Sequence, residues 1–431
     1  MSQLLLLSNG HGEDLSGALL GRQLLAQGLT VEALPLVGHG HPYRQAGIPV
    51  ISRTREFSTG GLGYTSLAGR ITELREGQYL DVLRRLLSLR GRRDRLIVAV
   101  GDLLPVLAAW LVRRPAVVYL VAYSSHYEGR LRLPWPCGWL LRRRRFRKVW
   151  SRDALTASDL SEQLGRPVEF LGNPFVDLVS EAGEPIPCGA AQTLAVLPGS
   201  RLPEALRNLE LMLQLLARLP SALQPARALA LQAALVGDLD ATTLGRIGAP
   251  LGWNLEQGRG PDDGNASLVL ARGPQRLQLH WGRFAAVLGG SDLVLSMTGT
   301  AAEQAVGLGK PVLQLEGPGP QFTPGFAEAQ RRLLGFGLSC ASSAVGSSAV
   351  GSGSVGSSSV GSGAVGSGEA LQAGADLAGD LLGRLADPQR GAAWRRQLAA
   401  SGAERIGSAG GSQRLAAAIM ELLSTLQPGA Q

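Results

Sequence analysis

Two short turns hold residue types that could act on an anionic leaving group: Pro198-Gly199-Ser200-Arg201 and Met297-Thr298-Gly299-Thr300. Each follows a short apolar run that reads as a buried strand, Leu194 to Leu197 and Leu293 to Ser296, and each precedes a helical pattern. Amides at a helix start have no partner inside the helix and carry the positive end of its dipole, which suits a diphosphate. Arg201 at the first turn and the amides around Gly299 at the second would neutralise a leaving diphosphate without a metal. A blander reading stands beside it. Thr300 and Glu303 have the spacing of a capping box, which would only tie the helix N-terminus, and Arg201 would then be a surface Arg at a helix start.

The first half of the chain offers candidate bases. His11 and Asp102 each lie just past an expected strand end, on the same edge if the sheet is parallel, and Asp14 follows closely in the first loop. Any of the three could take a proton, although a loop His often has no catalytic task and an Asp after a strand often caps the next helix. His39, His41, His126 and His280 show no metal-ligand spacing. Cys137, Cys188 and Cys340 are scattered without a CxxC pair, which predicts a reducing compartment and no zinc site.

These residues need strands and helices to hold them. Gln3 to Ser8 reads as a strand, Asn9 to Asp14 as a Gly-rich turn, and Leu15 to Gln27 as a helix. Thr30 to Leu36, Pro49 to Ser52, Leu96 to Gly101, Val117 to Val121 and Val168 to Leu171 read as further strands. Phe57 to Tyr64 is a loop before a long helical pattern from Thr65 to about Leu89; Leu103 to Val112 and Leu155 to Leu164 are helices. Ser180 to Gly189 is rich in Pro, Gly and acids and reads as a linker. The alternation then restarts, with Pro203 opening a helix, strands at Leu229 to Val236 and Ser267 to Ala271, a helix at Trp281 to Leu288, and the unit from Leu293 to Leu315. Ala344 to Gly368 is a V-G-S low-complexity insert expected to be disordered, and helices close the chain. The expectation is α/β, with two Rossmann-like parallel-sheet domains facing a cleft: residues 1–180, a linker at 181–192, residues 193–410, and a terminal helix in 411–431 that could pack back on the first domain.

At 431 residues and 45% hydrophobic content the chain can build two or three cores. No apolar run approaches the ~20 residues of a spanning helix, and Leu4 to Leu7 is too short for a signal peptide. The net charge of +8 is uneven: residues 1–150 hold 22 Lys+Arg against 10 Asp+Glu, and the remainder 20 against 24. Within that basic half, Trp135 and Trp139 precede Arg142, Arg143, Arg144 and Arg145, around a Pro134-Trp135-Pro136 turn. Aromatic rings beside a polybasic run suit the headgroup layer of an anionic membrane. A solvated basic helix face is the alternative; nucleic acid is not expected, because no helix-turn-helix, zinc-finger or RNP pattern accompanies the run.

The pairing of PGSR with SMTGTAAEQAVGLGKPVLQL, together with LGNPFVD at 171–177, resembles the lipid-A-disaccharide synthase family, in its synthase-related branch. The resemblance implies the GT-B glycosyltransferase fold over essentially the whole chain apart from the V-G-S insert. It also implies inverting transfer of a sugar from a UDP-sugar to a lipid or glycolipid acceptor at the cytoplasmic membrane face, with no metal or cofactor expected beyond the UDP-sugar as substrate. On that resemblance Glu303 holds ribose hydroxyls, Thr298 to Thr300 hold the diphosphate, and Gln321 contacts the donor sugar. The first loop reads Asn9-Gly10-His11-Gly12-Glu13-Asp14 where the synthases have Gly-Glu-x-Ser-Gly-Asp. It also resembles the glycine-rich loop of the undecaprenyl-muropeptide GlcNAc transferase. A UDP-sugar epimerase or hydrolase on the same fold, and a non-catalytic relative, are the other expectations.

Overall fold

The computed structural model describes residues 3–51, 84–89, 91–180, 184–259, 266–317, 324–341 and 367–426. The expected loop at 57–64, most of the helix drawn from Thr65, the V-G-S insert and Gln321 lie outside the described residues.

Contacts divide the chain into two units, Met1–Leu178 with Glu404–Gln431, and Val179–Ala403. The first break falls just before the expected linker; the second places residues 404–410, expected in the second domain, with the first unit.

The first unit is built on β1 (Leu4–Ser8), β2 (Val31–Pro35), β3 (Leu96–Gly101), β4 (Ala116–Leu120) and β5 (Phe146–Ser151). They form one parallel sheet in the order β2-β1-β3-β4-β5. β1 is Leu4-Leu5-Leu6-Leu7-Ser8, buried throughout, because helices cover both faces of a parallel sheet. Alternate side chains feed two separate cores: Leu5, Leu7, Ile97 and Ala99 on one face, Leu4, Leu6, Leu96 and Val98 on the other. The helices are α1 (His11–Ala26), α2 (His41–Gln45), α3 (Leu103–Val112), α4 (Ser125–Glu128), α5 (Cys137–Leu141), α6 (Ala154–Leu164) and α7 (Pro174–Ser180). Two local readings change. α1 starts at His11 rather than Leu15, because Gly10, at φ 138°, turns the chain at once and Glu13 and Asp14 then suit the first helical turn. Val50 and Glu169 make only isolated bridges, so the strands drawn around them do not extend.

The second unit contains β6 (Gln192–Leu197), α8 (Glu204–Leu216), β7 (Leu229–Leu235), α9 (Ala241–Gly248), β8 (Asn254–Arg259), β9 (Ala266–Arg272), β10 (Gln275–Trp281) and α10 (Phe284–Gly290). It continues with β11 (Leu293–Ser296), α11 (Thr300–Gly307), β12 (Val312–Leu315), α12 (Pro324–Leu334), β13 (Leu338–Ala341), α13 (Gly368–Ala386) and α14 (Pro388–Arg405). Its sheet runs β13-β12-β11-β6-β7-β10-β9-β8, parallel up to β10 and antiparallel through β9 and β8. The helix expected from Trp281 begins three residues later. Trp281 itself ends a strand, because Leu277 and Leu279 alternate into the core while Arg276 and Gln278 do not. Pro203 is the residue before α8, not its first.

The last helix, α15 (Gly411–Thr425), belongs to the first unit and lays Leu415, Ala416, Ile419 and Leu423 into the core that holds Ala18, Leu20 and Leu24 of α1.

Candidate functional site

In the second unit the two chemistry-bearing turns leave neighbouring strands. β6 and β11 pair in parallel up to Leu197 and Ser296, and Met297 N–H donates to Leu197 O at 3.1 Å, so the turns leave the sheet side by side. Gly199 has φ 112°, and a Cβ there would lie 3.6 Å from Met297 O and 3.8 Å from Thr298 Cγ2; glycine gives this turn its backbone shape against its neighbour. Asn208, buried on α8, ties both turns down. Its Nδ2 donates to Pro198 O at 2.9 Å and to Met297 O at 3.4 Å. Ser296 and Thr298 hydroxyls share a hydrogen bond at 2.7 Å.

The capping box does not form. Gly299 is the N-cap of α11 and Thr300 is already helical, so the N-cap residue itself has no side chain to offer the first-turn amides. Glu303, on the same first turn, is 8% exposed, whereas Ser200 and Arg201 are exposed. Behind the turn, Gln314 Nε2 donates to Gln330 Oε1 at 2.9 Å, and the Gln330 amide nitrogen lies 3.7 Å from where a Gly299 Cβ would stand. Asn208 and Gln330 were not legible as site residues, since an Asn or Gln within an amphipathic helix carries no sequence signal of what it reaches.

In the first unit, carboxyl groups gather where β1 and β3 end. Asp102 caps α3 by accepting Leu104 N–H at 2.9 Å, and its other oxygen accepts Asn9 Nδ2 at 2.8 Å. Burial raises its pKa above the usual carboxylate range. Asp14 lies beneath the loop, 2% exposed, accepting Ser8 Oγ at 2.6 Å, while Tyr43 OH donates to Ser8 Oγ at 2.9 Å. Burial pushes its pKa up to about 7, against the opposing pull of the Ser8 hydrogen bond. Glu13, not singled out in the sequence, packs against Gly101, whose Cβ would meet Glu13 Cγ at 3.0 Å. Burial raises the Glu13 pKa too, and the Asp102 charge adds to it. His11 is the first residue of α1. The structure thus brings Asn9, Glu13 and Asp102 together at one sheet edge and sets Asp14 behind them.

The aromatic and basic stretch is divided among elements. Trp139, on α5, meets Trp110 edge to face at 5.7 Å, and Arg143 and Arg145 stack on Trp139 and Trp110 at 3.8 and 4.3 Å. Arg142 to Arg145 follow the end of α5 and Phe146 to Lys148 lie on β5, so the run is not one helix face. Arg144 is exposed, and Trp135 is 89% exposed. Among the described residues, no helix is long and apolar enough to cross a membrane.

No family model matches the chain. Over 263 residues it is 28% identical to the lipid-A-disaccharide synthase of Alkalilimnicola ehrlichii, covering 58% of this chain and 61% of that protein. The chain therefore spans about three-fifths of the curated relative it matches. CalG4, the calicheamicin glycosyltransferase, superposes with a TM-score of 0.58 at 16% identity, over 99% of this chain and 100% of its own. The S. aureus MnaA-UDP co-structure gives 0.53 at 14% identity, over 100% and 99%. Two Rossmann-like units, each built on parallel strands with helices between them, give this chain the fold of the GT-B glycosyltransferases.

Proposed function

We propose that this chain transfers a sugar, with inversion, from a UDP-sugar to a lipid-linked acceptor at the inner, cytoplasmic face of a membrane. The observation that carries the reading is the pair of turns on β6 and β11, clamped by Asn208, beside a start of α11 whose N-cap residue is a glycine. There the amides of Gly299 and Thr300 and the guanidinium of Arg201 stabilise the diphosphate as it leaves, with Gly199 and Ser200 shaping the first turn and Thr298 the second. Glu303 accepts from the ribose hydroxyls, and Gln321 meets the sugar. Asp102 or His11 takes the proton from the acceptor hydroxyl, and Asp14 supports the loop from below. The reading uses no metal or cofactor. The solved MnaA complex, which holds UDP on this fold, supports the nucleotide, and the curated synthase relative supports the lipid acceptor.

Thermal stabilisation by UDP, UDP-GlcNAc, UDP-glucose and ADP tests it. Uridine nucleotides are expected to raise the melting temperature and Glu303→Ala to remove most of that rise, while no shift with any nucleotide would overturn the reading. Release of free sugar or UDP without any lipid would point instead to an epimerase or hydrolase.

A further inference from the structure

Beside the aromatic stretch lies a cavity of about 590 Å³ whose chemistry is amphipathic. Arg130, Arg132 and Arg142 line it together with Leu131, Leu133 and Leu164; Leu131 and Leu164 are buried in the core behind and Leu133 is half-buried. Its wall is built rather than incidental. Gln163 Nε2 donates to Leu131 O at 2.8 Å and to Asp159 Oδ1 at 2.7 Å, and Asp159 Oδ2 accepts Leu131 N–H at 2.6 Å. Arg142 Nη2 donates to Gln163 O at 2.6 Å. Asp159 is thus turned to the backbone and to Gln163, and also accepts Ser125 Oγ at 2.7 Å. The remaining acid on this rim, Glu162, stands 3.7 Å from Arg130, with both side chains mostly exposed. Arg132 makes no hydrogen bond or ion pair among the described residues. Gly138, on α5, stands at the wall formed by the two leucines: a Cβ there would lie in ordinary contact, 3.7 Å from Leu164 Cδ2 and 3.8 Å from Leu133 Cδ1. The chain between Leu133 and Gly138 carries the highly exposed Trp135.

We propose that this cavity seats the phosphate headgroup of an anionic phospholipid drawn from a bilayer. Arg130, Arg132 and Arg142 surround the phosphate, the half-buried Leu133 meets the start of the acyl region, and Trp135 and Trp139 lie in the interfacial layer. Leucines and an exposed indole beside the arginines distinguish a lipid from a free anion, which needs only the charges. The inference rests on the reading that this unit meets a membrane.

The test is co-sedimentation of the full chain with phosphatidylcholine vesicles, with and without one third of phosphatidylglycerol, for wild type, Gly138→Leu, Arg130→Gln/Arg132→Gln and Arg144→Gln. Gly138→Leu narrows the cavity at its Leu133 and Leu164 wall, removes no charge and suits a helical position. It is expected to weaken binding to the anionic vesicles at least as much as the double Arg variant, while Arg144→Gln, outside the cavity, costs no more than the ~5-fold of one surface charge. Gly138→Leu binding like wild type, with the double Arg variant no worse than two Arg144-like losses, would leave general membrane attraction intact and remove the cavity. Failure of wild type on anionic vesicles would remove both. Protection by inorganic phosphate that Gly138→Leu abolishes, with vesicle binding unchanged, would make it a small-anion site and overturn the lipid assignment. The double Arg variant alters only exposed side chains, so it decides the matter even if Gly138→Leu folds poorly.

Discussion

Asn208 makes two separate turns one object. Its amide reaches Pro198 O and Met297 O from a buried position on α8, so removing it leaves two carbonyls to find other partners. Asn208→Leu is expected to cost about 1–3 kcal/mol of stability. Because the spacing between the turns would relax, UDP affinity should fall roughly tenfold or more, as for misplaced binding groups generally. Equal loss of stability with unchanged UDP affinity would confine Asn208 to folding. Asp14 makes a different prediction, one of pH. Its folded pKa of about 7 stands above the ordinary 3.8, so the folded state holds the proton more tightly than the unfolded chain. Stability from this group is full below the ordinary value, declines as pH rises toward 7, and is level above. Asp14→Asn keeps an acceptor for Ser8 and has no such decline. Against wild type it should gain stability steadily from pH 4 to 7, at up to ~1.4 kcal/mol per pH unit, measured as urea midpoints. Asp102, also raised by burial, is present in both proteins, while the Glu13 charge, which helps raise Asp14, titrates beside it in wild type and without it in the variant. The two turns and the Arg at the first could be picked out from spacing, because turn chemistry is local, whereas the part proposed for Glu303 came from the resemblance. Asn208, Gln330 and Glu13 could not, because each matters through a neighbour remote in the chain.

The same division holds among elements. Most of the parallel strands were legible because both their faces are buried, so the sequence shows them as continuous apolar runs such as LLLL and LIVAVG; β5, β10 and β13, whose runs are broken by Arg, Lys, Gln or Ser, were not. β8, Asn-Leu-Glu-Gln-Gly-Arg, was not, since an edge strand of that composition resembles a loop; its pairing with β9 supplies what the side chains do not. α15 was legible as a helix, but its anchor was not. Asp177, on α7, accepts from Gly410, Gly411 and Ser412 N–H at 2.6, 3.2 and 2.7 Å, so a carboxylate more than 230 residues away caps the helix. Those donors are the orphan amides of a helix start, and Asp177 is 2% exposed. Asp177→Ala is expected to cost about 2 kcal/mol, toward the upper end for a lost cap. Asp177→Asn should recover part of that, because one oxygen still accepts. Denaturant unfolding of the two variants checks the order, and equal losses would mean that charge rather than acceptance does the capping.

That anchor also decides how the molecule holds together, because the first unit is made from the two ends of the chain. α15 buries Leu415, Ile419 and Leu423 almost completely, and at roughly 1.5–3 kcal/mol each they supply about 5–9 kcal/mol. A whole domain has only about 5–15 kcal/mol to lose. A chain ending at Ala403 should therefore leave β1 to β5 without enough stability to stay folded, while Val179–Ala403 keeps its own sheet and its core of Leu194, Val196, Leu209, Leu293 and Leu295. If the donor turns work within that unit, UDP needs nothing from the rest. Limited proteolysis of the truncated chain is expected to digest the N-terminal segment and to leave a resistant core beginning near Val179, whose melting temperature UDP still raises. A resistant fragment that retains β1 to β5 would show that α15 is dispensable to the first fold. A resistant second unit that no longer responds to UDP, beside an intact chain that does, would mean that the nucleotide draws on residues of both units, and the donor site would have to be redrawn.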